Sequence, residues 1–124
     1  MPLPPATTAE VTIPAVRFDH AAAASLAAAL DGLAHELRVA ATRAERRADA
    51  ARRDWTGCTR RWFEDELAAL VHGLRSTAAT AEADACAVRG SSRAAVAEQH
   101  DIDVANQTNA TALDAVATSN GVTP

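Results

Sequence analysis

Two runs of apolar residues, spaced mostly three and four apart and meeting at a Trp-Thr-Gly, constrain this chain more than any other feature. After Asp19, the residues Leu26, Leu30, Leu33, Leu37, Ala40, Ala44, Ala48, Ala51 and Trp55 recur at those intervals. That spacing lays them along one face of an α-helix. Asp19 is a suitable N-cap for it. A second run follows at once: Phe63, Leu67, Leu70, Leu74, Thr77, Ala81, Asp84, Val88, Ser92 and Ala95. Val71, Ala78 and Ala85 widen its apolar face past the polar Thr77 and Asp84. Between the runs, Gly57 can adopt the left-handed backbone that a tight reversal needs. Two long helices joined by a few residues must lie antiparallel. The expected fold is therefore all-α, a two-helix antiparallel hairpin. At 1.5 Å per residue its helices span about 52 Å and about 64 Å.

Composition sharpens this expectation. Ala fills 33 of the 124 positions, while the aromatics are only Phe18, Trp55, Trp62 and Phe63. Ala favours helix and lets two helices approach closely, but a thin Ala-lined pair buries little by itself. Dimerisation into a four-helix bundle follows as an expectation. Three segments result: an extended N-terminal piece over 1–17 with four of the five prolines, the hairpin over 18–100, and a tail over 101–124. The tail is rich in Thr, Asn and Asp and reads as flexible, with a short helix near 110–118. Val11 and Ile13 are placed to lie against the helical body or form a short strand. The first residues show neither a basic nor an apolar leader region, and no stretch is long enough to span a bilayer. Synthesis in the cytoplasm is expected, with any export by a route that needs no cleaved leader.

At the turn the chain reads Trp55-Thr56-Gly57, with Phe63 eight residues after Trp55. Set between two amphipathic helices, these residues resemble the WXG family of type VII secretion proteins, over roughly residues 16–98. The resemblance implies a helical hairpin that pairs as a homodimer or heterodimer, with Trp55, Gly57 and Phe63 forming the turn motif. It also implies secretion without a cleaved leader, and contact with secretion machinery. The chain departs from the family in one respect. A Tyr-x-x-x-Asp/Glu signal usually follows the second helix, but this chain has no Tyr; His100 sits near that place and Val104 stands where the acid belongs. Either a partner carries the signal or the protein stays where it is made.

Packing and partner contacts are expected from Leu26, Leu30, Leu33, Leu37, Trp62, Leu67, Leu70, Leu74 and Val88. Charge is unevenly placed: residues 1–37 carry net −3, residues 38–61 net +5, and residues 62–124 net −6. Arg43, Arg46, Arg47, Arg52, Arg53, Arg60 and Arg61 form a basic tip. Two such hairpins packed antiparallel would set each tip beside acidic residues of the other, a gain in orientation more than affinity.

Residues with chemical potential are scattered. His20, His35, His72 and His100 show no close helical pairing of the kind zinc favours. Glu64, Asp65 and Glu66 open the second helix, where the dipole favours negative charge. Cys58 and Cys86, if on one helix, lie about 42 Å apart, far beyond the reach of a disulfide. Free thiols are expected, with no cofactor, no metal site and no catalytic residue. Net charge is −4, which disfavours general nucleic-acid binding. The expected function is a non-enzymatic, type VII secretion-associated dimer subunit or substrate. The alternative is a cytoplasmic helical adaptor, or a regulatory module binding nucleic acid through the Arg-rich tip.

Overall fold

The computed structural model describes residues 12–121 and contains two helices, α1 (His20–Ala51) and α2 (Cys58–Gly121). No strand occurs among the described residues. Asp19 caps α1 as its sequence position predicts: its carboxylate accepts from the Ala22 N–H at 2.9 Å, satisfying one of the otherwise unpaired first-turn donors. The last turn closes through Arg52 N–H to the Ala48 carbonyl at 2.9 Å and Asp54 N–H to Ala51 at 3.1 Å. Gly57 then takes φ +73°, and α2 starts with Arg61 N–H donating to its carbonyl.

The chain divides into two compact units, Asp19–Ser91 and a second made of residues 12–18 with 92–121. In the first, α1 and α2 pack antiparallel along a heptad seam. On α1 the seam runs through Ala23, Ala27, Leu30, Ala34, Leu37, Ala41, Ala44, Ala48 and Ala51, all buried or half-buried. On α2 it runs through Phe63, Leu67, Val71, Leu74, Ala78, Ala81, Ala85 and Val88. The most deeply buried side chains are all Ala: Ala27, Ala34, Ala41, Ala78 and Ala85 are at most 1% exposed. Ala34, Ala78 and Ala81 form a cluster that Leu30 and Leu37 cover. Small residues in each layer bring the backbones together, and Ala loses no rotamer freedom on burial.

This seam keeps the expected column of Leu30, Leu37, Ala44, Ala51, Leu67, Leu74, Ala81 and Val88 and moves the other column by one residue. Leu26, Leu33 and Leu70 stand 51%, 45% and 54% exposed, and Ala40, Thr77 and Asp84 are exposed beside them. Each directly precedes a buried residue: Ala27, Ala34, Val71, Ala41, Ala78 and Ala85. Side-chain size misled the pattern, because a close helix contact selects the small residue and turns the larger neighbour outward.

In the second unit, the tail expected from Asp101 is helix instead, since α2 runs on to Gly121. Its threonines are accommodated by bonding back one turn: Thr108 donates to Val104, Thr111 to Gln107 and Thr118 to Asp114, at 2.8–2.9 Å. The α2 rhythm of buried and half-buried residues also continues, through Ser92, Ala95, Gln99, Ile102, Asn106 and Asn109. Here the seam meets the N-terminal segment. Asn106 Oδ1 accepts from Ile13 N–H at 2.9 Å, Asn106 Nδ2 donates to the Ile13 carbonyl at 3.1 Å, and Gln99 Oε1 accepts from Val16 N–H at 2.7 Å. Ile13 thus lies against the helix without forming a strand. Val11 falls outside the described residues.

Candidate protein interaction surfaces

The turn brings its motif together. The Trp55 and Phe63 rings meet edge to face, with centroids 4.5 Å apart and planes at 83°, a favoured geometry for the aromatic quadrupoles. Gly57 lies between them in sequence, and a methyl group built on it would touch nothing within 4 Å. Its role is therefore conformational, set by the positive φ rather than by space. Trp62 points away and is 64% exposed, leaving a large apolar surface beside the turn.

One flank of the hairpin is closed by charge. The residues directly after Leu30, Leu37, Ala44 and Ala51 are Asp31, Arg38, Glu45 and Arg52. Across from them on α2, the residues after Leu74, Ala81 and Val88 are Arg75, Glu82 and Arg89. Asp31 pairs with Arg89 at 2.5 Å and Glu45 with Arg75 at 2.9 Å. Arg38 makes a two-pronged bond to Glu82 at 2.9 and 3.0 Å, a geometry that suits guanidinium and carboxylate. Signs alternate along each helix and complement across the seam. The next heptad step would bring Arg52 to Ala68, which has nothing to offer. Arg52 instead binds Glu64 one turn along, with one contact at 2.7 Å, and also binds Asp49. Arg60 approaches the same Glu64 at 3.9 Å.

These contacts set the electrostatics. Hydrogen bonding by Arg38, with its charge, holds Glu82 below the usual carboxylate range, and Arg52 does the same to Glu64. The partner arginines Arg38, Arg52 and Arg89 are held more firmly protonated. Over Ala68 the missing rung leaves an open groove of about 390 Å³, floored by Leu67, Ala68 and Val71 and bordered by the two ion pairs and His72.

The opposite flank exposes apolar side chains among polar ones. Leu26, Leu33 and Ala40 line it on α1, with Arg47 nearest the turn; Phe63, Leu70, Thr77 and Asp84 line it on α2. Leu30, Leu37, Leu67, Leu74 and Val88 are half-buried within the seam itself. The basic tip is only partly free. Arg52 and Arg60 are committed to Glu64, whereas Arg43, Arg46, Arg47, Arg53 and Arg61 form no ion pair among the described residues.

The chemistry-bearing side chains are not assembled. Among the described residues, no three His, Cys, Asp or Glu groups gather as metal ligands. Cys58 and Cys86 are free and exposed. No described helix is long and apolar enough to cross a membrane. The charge ladder was missed in the sequence although its signal is there, as opposite signs repeating every seven residues. Gln99 and Asn106 were missed as well: their signal is a pair of amides seven apart on the column that continues Ala85 and Ser92. No family model, curated protein or solved structure matches this chain.

Proposed function

We propose that this chain is a WXG-type hairpin that works by pairing with a second hairpin, as a dimer subunit or substrate associated with type VII secretion. The observation that carries the proposal is the asymmetry of the Asp19–Ser91 unit. Its seam is closed by Ala and one flank by ion pairs, while the other flank leaves Leu26, Leu33 and Leu70 about half exposed. Covering the remainder of each is worth about 1 kcal/mol, so two copies joined on this flank gain several-fold that amount. The edge-to-face contact of Trp55 with Phe63 around Gly57 supports the family reading.

Charge favours one orientation. Arg47 and Asp84 lie on the flank of Leu26, Leu33 and Leu70. Two copies joined with turns together would face α1 of each to α2 of the other, which puts both Arg47 side chains in one layer and both Asp84 side chains in another. Turning one copy end for end separates the like charges. Weighing the chain's mass in solution, alone and co-expressed with a hairpin encoded beside it, tests the reading. A dimer is expected, and Leu33→Glu with Leu70→Glu should dissociate it while helicity remains. A chain that stays monomeric under both conditions removes the proposal. The unpaired Arg43, Arg46, Arg47, Arg53 and Arg61 favour a second reading, a regulatory module that binds nucleic acid. Titration with duplex DNA at low salt decides it, because phosphate contacts are strongest there.

A further inference from the structure

The way α2 holds residues 13–16 has a simple metric basis. Gln99 and Asn106 are one heptad apart, which is a rise of about 10.5 Å along a helix. Ile13 and Val16 are three residues apart, and an extended chain covers about 10 Å in three residues. The two repeats match, so amides at successive heptad positions meet the backbone of every third residue of an extended strand. Between the two anchors lies Pro14, which has no N–H to satisfy. Asn106 uses both halves of its amide on Ile13. Gln99 is oriented by its neighbour: its Nε2 donates to Asp103 Oδ1 at 2.8 Å, which turns Oε1 toward Val16 N–H.

We propose that Gln99, Asp103 and Asn106 form a backbone-reading rail for an extended peptide, and that residues 13–16 occupy it as a displaceable resident. The ligand class is an extended segment with N–H donors three residues apart and Pro tolerated between them. Val16 is half-buried, and Ile13 and Phe18 are 42% and 36% exposed, so side-chain contact adds to the main-chain bonds. The three bonds to Gln99 and Asn106 use only main-chain groups of the resident, which any non-Pro residue supplies. A segment of the same pattern from a partner would meet the same atoms.

The test uses the full chain and a fluorescent peptide corresponding to residues 10–18. Val16→Pro removes the donor to Gln99 from the resident and keeps an extended backbone. It is expected to raise peptide affinity about tenfold over the unaltered chain, the worth of roughly one hydrogen bond. Adding Gln99→Ala and Asn106→Ala to that variant should abolish the binding. Amide exchange of residues 24–50 in every variant reports that the hairpin is intact. A Val16→Pro chain that binds the peptide no better overturns the proposal. So does binding that survives loss of both amides with the hairpin protected.

Discussion

Ala78→Leu places three additional carbon atoms where the structure has no room. Ala78 is fully buried, and its neighbours Ala34 and Ala81 are 1% and 5% exposed. Overpacking a filled core costs about 1–3 kcal/mol when the surroundings relax by moving side chains. Here the facing groups are Ala side chains, which have no rotamer to change, so the helices themselves must separate. That separation loosens the adjoining layers covered by Leu30 and Leu37 as well. The expected loss is therefore near the top of the range, about 2–3 kcal/mol. For a unit the size of Asp19–Ser91 this lowers Tm by about 8–24 °C. Helical circular dichroism followed with temperature measures it, at one fixed protein concentration because association shifts apparent Tm. Thr77→Leu, one residue away and exposed, is the control and should change Tm little. If Ala78→Leu leaves Tm unchanged while Thr77→Leu lowers it, the leucine-led seam is the correct one and the Ala contact is refuted.

Gly57→Ala isolates backbone conformation. With open space around the position and φ at +73°, the cost is that of an L-residue in the left-handed region, about 1–2 kcal/mol, read by urea denaturation. Arg38→Glu should lower Tm by facing Glu82, and the exchange Arg38→Glu with Glu82→Arg should restore most of the loss; failure of the restoration removes the pairing. Acidification supplies a fourth check. Glu64 and Glu82 have folded pKa values below their ordinary range, so their contribution is present at neutral pH and is lost as pH falls through those lowered values. Tm measured from pH 7 to pH 3 should fall less steeply in Glu82→Gln than in the unaltered chain.

Much of this architecture was legible in the residues. Asp19 marked the start of α1, Gly57 marked the reversal, and Phe63 stood where it could reach Trp55. Periodicity identified the helices and one of the two contact columns but not the other, because Leu26 and Leu33 outweigh Ala27 and Ala34 on a hydrophobic count and Leu70 matches Val71. Only the distance between two backbones reveals which column faces inward. The extent of α2 was hidden for a different reason. Asn and Thr are poor helix formers on average, yet here the hydroxyls of Thr108, Thr111 and Thr118 bond back into the helix and Asn106 takes up a backbone partner. Those satisfactions are local geometry, and composition averages them away. The surface arginines were legible as charge but not as pairs. Which of them stay free depended on the register of two helices.

A seam made of nearly interchangeable alanine layers invites sliding, since one rung fits the next almost as well. The alternating signs of Asp31, Arg38, Glu45 and Arg52 against Arg89, Glu82, Arg75 and Glu64 remove that freedom. A shift of one heptad brings like charges face to face, and the first shift that restores attraction is two heptads long. On a 32-residue helix such a shift uncovers nearly half the contact. The chain thus behaves like a ratchet with coarse teeth: a bland, forgiving surface decides that the helices meet, and a sparse row of charges decides where they stop.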